Sequence, residues 1–210
     1  MVTFHIISLF PESFSHLDYS IVGRAQKNKK IKIKIYNPRD FTKDKHKTTD
    51  DRPYGGGPGM VMKAEPIISA IKKAVGKRKA KIILLDARGK LLSNSYAEGI
   101  LRRHKNIVLI AGHYEGIDER VSKILKAEKI SIGPYVLTGG ELPAMVFIDV
   151  ITRRIPGVLG KYESLEEGRI ASGSVYTRPE VFTYKKKKYR VTKVLLSGHH
   201  KKIEEWRKKK

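Results

Sequence analysis

Short apolar runs alternate along the first part of the chain with longer segments whose apolar positions recur every three or four residues. Phe4–Leu9 and Ile31–Tyr36 are of the first kind and predict strands. Pro11–Lys27, between them, has apolar residues close to helical spacing and predicts one helix. The same criteria predict further strands at Lys81–Leu85, Ile107–Ala111 and Lys129–Ile132, and further helices at Pro66–Val75, Ser93–His104, Ile117–Lys126 and Glu141–Arg154. This alternation predicts an α/β fold with a mostly parallel sheet.

The alternating pattern ends near Gly160, which predicts a change of domain. Residues 1–160 form the predicted α/β domain, and residues 161–174 are a polar stretch that is typical of an interdomain linker. Residues 175–210 are a small basic C-terminal segment for which we predict helical structure. Within the first domain, residues 42–61 are rich in glycine and proline and predict a long loop without any regular element.

The chain is strongly basic: 44 lysines and arginines against 21 acidic residues give a formal net charge of +23. A field of this size favours a polyanion, which could be RNA, DNA or an anionic membrane surface. A lysine-rich proteome is the alternative explanation. Two clusters favour a binding footprint, because residues 24–47 hold ten basic residues and two aspartates, and residues 183–210 hold twelve basic residues and two glutamates.

Several classes of protein are excluded by composition and by the length of the apolar runs. The absence of cysteine removes disulfide-stabilised folds, thiolate zinc sites and cysteine nucleophiles. The longest apolar runs, such as Ala144–Ile151, are far too short to cross a bilayer. The N-terminal residues lack a basic leader and predict a first strand. We therefore expect a cytoplasmic protein that does not span a membrane, and none of its histidine spacings indicates a metal site.

Three loops that contain glycine follow predicted strands, at Leu84–Gly89, Ala111–Gly116 and Ile132–Gly140. In an open α/β sheet the ligand crevice lies beyond the carboxyl ends of the strands, where such loops converge. None of the three has the spacing of a P-loop or of the dinucleotide-binding fingerprint. Each alone is compatible with a simple tight turn, but the three together favour a pocket for a small molecule.

The segment DDRPYGGGPGM, at residues 50–60, carries a second candidate site. Asp50, Asp51 and Arg52 precede a chain reversal in which several glycines leave backbone donors exposed, beside a lysine-rich strand. This combination suits a polyanion with an inserted base, and a purely structural loop is the alternative.

These segments resemble the bacterial tRNA (guanine-N1)-methyltransferase family, whose members are knotted SPOUT-class enzymes. The resemblance runs in one collinear order from Ile6 to about Trp206 and covers nearly the whole chain. The strings that carry it are IISLFPESF, VGRA, PRDFT, DDRPYGGGPGM, GHYEGIDER, SIG-YVLTGGELPAM, IPGVLG, YTRPEV and VLLSG-H. Each string alone is weak, whereas the ordered set is specific.

The resemblance implies a deep trefoil knot in the α/β domain and a homodimer with its active site at the subunit interface. It implies that S-adenosyl-L-methionine donates a methyl group to N1 of the guanine immediately 3′ of the anticodon in tRNA, and it leaves open whether Mg²⁺ takes part. The cofactor-binding residues that it implies are Leu85, Gly112, Tyr114, Glu115, Gly116, Ile132, Gly133, Pro134, Tyr135, Val136, Leu137, Gly139 and Gly140.

Substrate-binding and catalytic residues follow from the same resemblance. Gly59, with Asp50 and His46, is predicted to lie at the target guanine. Arg153, just before IPGVLG, matches the catalytic arginine of the family. A guanidinium stays charged at any relevant pH, so Arg153 could steady negative charge on O6 of the guanine while a general base removes the N1 proton.

Three departures from the family pattern bear on function. The linker, KYESLEEGRIASGS, lacks the family's catalytic aspartate, so Glu167, or else Glu166, is predicted to be the base. The alternative is a relative that binds cofactor and RNA and has weakened or lost methyl transfer. The C-terminal domain is predicted to be truncated, and Pro134 stands where the family commonly has aspartate.

Overall fold

The computed structural model describes residues 1–159 and 175–208, and the chain divides into two compact units, Met1–Leu159 and Gly160–Lys210. The first unit is built on five parallel strands in the order β2-β1-β6-β5-β7. The strands are β1 (Val2–Ile7), β2 (Ile31–Tyr36), β5 (Lys81–Leu91), β6 (Asn106–Ile110) and β7 (Glu128–Ser131); β3 (Asp50–Asp51) and β4 (Val61–Met62) form a separate antiparallel pair. The predicted α/β fold with a parallel sheet is confirmed.

Helices cover both faces of this sheet, so its central strands are buried on both sides. The helices are α1 (Ser20–Lys27), α2 (Ala64–Val75), α3 (Asn94–Arg103), α4 (Arg120–Leu125) and α5 (Glu141–Thr152). One core packs α1, α3 and α5 against the sheet, and a second core packs α2 and α4 against the other face. Side chains alternate between the two cores along each strand, as Ile107 and Val108 do in β6.

The prediction of one continuous helix over Pro11–Lys27 is wrong. The structure has a 3-10 helix at Pro11–Asp18, followed by α1. Ser20, at the junction, has a φ of 54°, and Gly23 lies so close to the carbonyl of Asp18 that a Cβ atom would not fit there. Apolar spacing did not distinguish one helix from two shorter ones, because Phe14 and Leu17 are buried in either case.

The long loop at residues 42–61 is more regular than the sequence predicted. Its middle, β3, pairs with β4 at its C-terminal end, with Asp50 opposite Met62 and Asp51 opposite Val61. The amide of Lys63 also donates to the carbonyl of Thr49 over 2.8 Å. The residues between β3 and β4 therefore form a loop whose two ends are joined by backbone hydrogen bonds.

The second unit contains strands that the sequence did not predict. A hairpin joins β8 (Val181–Tyr184) to β9 (Lys187–Arg190), and α6 (Lys193–Leu196) and α7 (His200–Lys208) follow it. The predicted helical structure is present at α6 and α7, but the hairpin before them was not predicted, because the run of lysines at its turn and at the start of β9 hides the alternation of the strands. The ring of Trp206 in α7 lies 6.5 Å from that of Tyr176. Across the described ranges of both units, no helix has the length and apolar character needed to cross a bilayer.

A histidine is buried in β1, between β2 and β6 in the sheet. The side chain of His5 is 1% exposed and its ring stacks on that of Tyr36, with centroids 5.9 Å apart. Burial lowers the pKa of His5 below its ordinary value of 6.5, and the positive charges of Arg78 and Lys34 act in the same direction. The unfolded chain takes up a proton near pH 6.5 that the folded protein rejects, so the free energy of unfolding falls as the pH drops below 6.5.

We expect His5→Leu to reduce this loss of stability on acidification. A difference of one bound proton changes the free energy of unfolding by about 1.4 kcal/mol per pH unit, which is the most that His5 alone could contribute. Urea unfolding at pH 7.5 and pH 5.5 measures the difference for each protein. The exposed His16 provides a control, since His16→Leu should keep the wild-type difference. An equally steep loss in His5→Leu would contradict the role assigned to His5.

Candidate functional site

A cavity of about 320 Å³ lies at the carboxyl ends of β5, β6 and β7. Residues of all three predicted glycine-containing segments line it, as expected for a pocket of converging loops. Two of the segments are loops after β6 and β7, whereas Leu84–Gly89, predicted as a loop after a strand, lies within β5. Of the thirteen predicted cofactor-binding residues, Pro134 is exposed and is not among the residues that line the cavity. The other twelve line it: Leu85, Gly112, Tyr114, Glu115, Gly116, Ile132, Gly133, Tyr135, Val136, Leu137, Gly139 and Gly140.

Two of the loops touch each other through their backbones. The amide of Gly140 donates to the carbonyl of Gly112 over 2.8 Å, and His113 forms an antiparallel bridge with Gly139. A Cβ atom on Gly140 would lie 2.5 Å from the Cα atom of Ala111. Glycine is therefore required at position 140, because any side chain would push the two loops apart.

The third wall of the cavity is a bulge in β5. Leu85 and Lys90 both pair with Ile130 of β7, so the four residues between them leave the sheet. Asp86, Ala87 and Arg88 in this bulge line the cavity. A Cβ atom on Gly89 would lie 2.5 Å from the amide nitrogen of Ile130, so glycine lets the chain return to the ladder.

Charged side chains form a connected group at this wall. Arg88 donates to Asp86 through Nε and Nη2, at 3.2 and 3.1 Å. The Lys129 ammonium lies 2.7 Å from Glu119 and 3.9 Å from Asp86. The hydrogen bonds from Arg88 hold the pKa of Asp86 below its ordinary value, so this carboxylate is ionised at neutral pH.

A buried polar cluster lies where the loops meet. Ser8, which is fully buried after β1, donates its hydroxyl to Oε1 of Glu141 over 2.8 Å. Oε2 of the same carboxylate lies 3.7 Å from Nδ1 of His113, whose ring packs on Phe10 with centroids 4.9 Å apart. A Cβ atom on Gly139 would collide with both Glu141 and His113. Glu141 thus connects the segments after β1, β6 and β7.

The predicted substrate loop packs at Gly59 against Glu115, which lines the cavity. This glycine has a φ of 78°, and a Cβ atom on it would lie 2.5 Å from Oε1 of Glu115. The amide of Glu115 donates to the carbonyl of Met60, and the amide of Met62 donates to the carbonyl of Gly116. The structure therefore brings Gly59 to the cavity wall. Asp50, half-buried in β3, and His46, exposed in a turn, are not among the residues that line the cavity.

Arg153 lies at the end of α5 that is farther from the cavity. It is the C-cap residue of this helix and is half-buried. Its neighbour Arg154 is buried and donates from Nη1 to the carbonyl of Val150 over 2.6 Å. The two candidates for the general base, Glu166 and Glu167, lie outside the described residues.

The sequence did not single out several residues that the structure places at the site. Glu141 and Ser8 lie within the strings that carried the family resemblance, but no spacing in the sequence indicated their contact. Asp86, Arg88, Glu119 and Lys129 belong to separate segments that only the bulge brings together. Within residues 1–159 and 175–208, no three histidine, aspartate or glutamate side chains are grouped so that they could hold a metal ion.

Comparisons with known proteins agree with this arrangement. The sequence model of the family described as tRNA (Guanine-1)-methyltransferase TrmD matches residues 2–210. The tRNA (guanine-N(1)-)-methyltransferase of Pseudoalteromonas atlantica is 46% identical over 213 residues, which cover 98% of this chain and 78% of that protein.

Two further relatives carry the same name. The protein from Haemophilus influenzae strain PittGG is 49% identical over 211 residues, which cover 97% of this chain and 84% of the relative. The protein from Idiomarina loihiensis is 50% identical over 210 residues, which cover 96% of this chain and 81% of the relative. Because the family match and the relatives extend over nearly the whole sequence, the chain belongs to the tRNA (guanine-N1)-methyltransferase family.

Proposed function

We propose that this protein transfers a methyl group from S-adenosyl-L-methionine to N1 of the guanine immediately 3′ of the anticodon in tRNA. The observation that carries the proposal is the convergence of three glycine-containing loops on one cavity, in a chain that matches the family over residues 2–210. Gly59 of the predicted substrate loop lies against the wall of the same cavity.

The cavity has the properties of a site for S-adenosyl-L-methionine, which supplies an electrophilic methyl group on a sulfonium centre. Its volume lies at the lower end of the range for small-molecule pockets, roughly 300–1,000 Å³. Leu85 and Val136 offer apolar surface, and the bare backbones of Gly112 and Gly140 allow a close approach of the ligand. The carboxylate of Glu115 gives the wall a negative charge beside the position of a cationic ligand.

The target guanine requires two further groups, because neutral N1 carries a proton and is a weak nucleophile. A general base must take this proton, and we assign that role to Glu167, with Glu166 as the alternative. Arg153 would steady the negative charge that develops on O6. The guanine would leave the stack of the anticodon loop and enter beside Gly59, which costs less in a single-stranded loop than in a duplex.

The position of Arg153 supports a homodimer with the active site at the subunit interface. Helix α5 begins at the cavity and has 12 residues, so its two ends are about 18 Å apart. Arg153 at the far end would therefore serve the cavity of a second copy. Apolar side chains next to the cavity are exposed in one chain, which suits burial against that copy: Val136, Leu137, Leu142 and Val146 are 86, 39, 55 and 42% exposed.

We also propose the deep trefoil knot of the SPOUT class. The bond between Gly140 and Gly112 supports it, because it holds the chain that leaves β7 tightly against the loop after β6. An experimental structure with continuous density from Glu128 to Thr152 tests this threading.

Two family features remain, the cellular location and the use of Mg²⁺, and the first of them depends on the proposed tRNA substrate. A tRNA-modifying enzyme acts where tRNA takes part in translation, so we propose a cytoplasmic location. For Mg²⁺, the described residues include no group of three histidine, aspartate or glutamate side chains that could hold it, and we derive no step through this ion.

A second candidate function is cofactor and RNA binding without efficient methyl transfer. The observation that favours it is the absence of aspartate from residues 161–174, where the resemblance implies a catalytic aspartate. The two functions differ in one outcome, which is turnover under conditions where both ligands bind.

We expect the protein to transfer a labelled methyl group to a tRNA transcript that has guanine 3′ of the anticodon. Changing this guanine to adenine should abolish the transfer, because adenine lacks the N1 proton and the O6 oxygen on which the mechanism depends. Single-turnover assays with enzyme in excess measure the rate. Binding of both ligands without transfer would select the second function, and equal transfer to the adenine transcript would contradict the proposed target.

We expect Arg153→Ala to lower the single-turnover rate by about 100- to 1,000-fold, as the loss of one donor to a developing oxyanion does. Glu167→Gln should lower it by about 100- to 10,000-fold if Glu167 is the base. Binding of S-adenosylhomocysteine, measured by calorimetry, should stay unchanged in both variants. Glu166→Gln is the matched control for Glu167, and a larger effect of Glu166→Gln would transfer the role to that residue.

We expect Gly140→Ala to abolish binding of S-adenosylhomocysteine, because its Cβ atom would displace the backbone of Ala111 and Gly112. Gly99→Ala provides the matched control: Gly99 lies in α3, and its added Cβ atom would meet only the mobile end of the Arg103 side chain, at 3.3 Å. The control should bind like the wild type. Calorimetry measures both affinities, and normal binding by Gly140→Ala would contradict the assignment of the cavity.

A further inference from the structure

The hairpin of the second unit presents three aromatic rings on one face. The register of β8 and β9 places Phe182 opposite Tyr189 and Tyr184 opposite Lys187. Directly opposed residues of an antiparallel pair lie on the same face, and so do alternate residues of one strand. Phe182, Tyr184 and Tyr189 therefore share a face, which we call the aromatic face of the hairpin. These rings are 58, 55 and 50% exposed.

Lysine ammonium groups lie over two of these rings. Nζ of Lys185 is 5.6 Å from the centroid of the Tyr184 ring, and Nζ of Lys187 is 5.6 Å from that of Tyr189. Positive charge thus surrounds flat apolar surfaces that each remain half open to solvent. A nucleotide needs both kinds of contact, because its base offers a π face and its phosphate a negative charge.

Two lysines form the turn of the hairpin, and both have a left-handed backbone conformation that is unfavourable for lysine. Lys185 and Lys186 are the two residues between the strands, and their φ values are 48° and 62°. Two positive φ values define a type I′ turn, for which Asn-Gly is the favoured pair and a side chain such as lysine is costly. Local folding does not explain two lysines here, whereas binding of a polyanion at the tip does.

We infer that the aromatic face of the hairpin binds unpaired bases of the tRNA by stacking, while Lys185 and Lys186 contact its phosphates. Stacking on aromatic side chains tolerates any base, so the hairpin would add affinity without sequence selection. Stacking also requires a free base face, which a double helix does not offer along its length. This inference deepens the proposed function and rests on it only for the identity of the RNA as tRNA.

The test compares two RNA probes, a single-stranded 12-nucleotide oligoadenylate and a 12-base-pair RNA duplex, in binding assays with the full chain and without cofactor. The double variant Tyr184→Thr/Tyr189→Thr keeps residues that favour strands and removes the rings. It should weaken binding of the single strand at least about 10-fold and binding of the duplex less than about 2-fold. Tyr19→Thr, at an exposed tyrosine of the first unit, should change neither.

A second variant separates charge from stacking. Lys185→Asn/Lys186→Gly installs the favoured turn pair, so it should match or exceed the thermal stability of the wild type while reducing the salt dependence of single-strand binding. The slope of log K against log salt should fall in magnitude by about 1.4, which corresponds to two phosphate contacts on a single strand. The Tyr184→Thr/Tyr189→Thr variant should keep the wild-type slope.

Three outcomes would overturn the inference. They are an equal loss of single-strand and duplex binding in the aromatic variant, an unchanged salt slope in the turn variant, and competition by polyglutamate as strong as that by RNA, which would indicate an acidic protein partner. Because no cofactor is present, a failure of methyl transfer in the wild type would count against the proposed function alone.

Discussion

The close approach of two backbones, at Gly112 and Gly140, is the constraint on which the rest of the site depends. It holds the loop after β6 against the loop after β7 by a hydrogen bond of 2.8 Å between peptide groups, with no room for a side chain. Loops that hold a ligand by their backbones must be placed accurately, because a peptide group has no rotamers with which to correct an error. Parallel strands fix where both loops begin. The carboxylate of Glu141 also holds the loops in place, because it accepts a hydrogen bond from Ser8 and lies 3.7 Å from Nδ1 of His113.

In the proposed reaction, this contact would also set where the arginine lies relative to the cavity. Helix α5 begins directly after the contact, and Arg153 ends it about 18 Å away. A single chain therefore holds its cavity and its proposed catalytic arginine at opposite ends of one rigid element. The substrate loop, by contrast, is bonded to the cavity wall through Met60, Met62 and Glu115. Within one chain the guanine and the methyl donor would thus share a wall, and the arginine would come from a second copy.

The basic side chains of the two units have different neighbours. In the first unit the rim of the cavity is a balanced group, where Asp86 and Glu119 pair with Arg88 and Lys129. In the second unit the lysines of the hairpin lie over exposed tyrosine rings. The net charge of +23 is therefore not one uniform field: acidic residues compensate it beside the cavity, whereas basic residues predominate at residues 24–47 and at the hairpin that we propose as the RNA contact.

Sequence periodicity was sufficient for the sheet and for most of the helices of the first unit, because both depend on the spacing of apolar residues. Glycines after three strands were also sufficient to predict a pocket, and twelve of the thirteen residues inferred from the family strings line the cavity. Pro134 is the exception. The break at Ser20, the bulge in β5 and the hairpin at Lys185 were not predicted, since each depends on backbone angles or strand register that apolar spacing does not encode.

The sequence by itself determined the family, the fold class and the segments that line the cavity, because each of these depends on the order and type of neighbouring residues. Only the tertiary structure decided which side chains meet. Ser8 and Glu141 are 133 positions apart, and Gly59 and Glu115 belong to different loops, yet each pair is in contact. Contacts of this kind arise from the crossing of strands and loops in space, and no local pattern of residues specifies them.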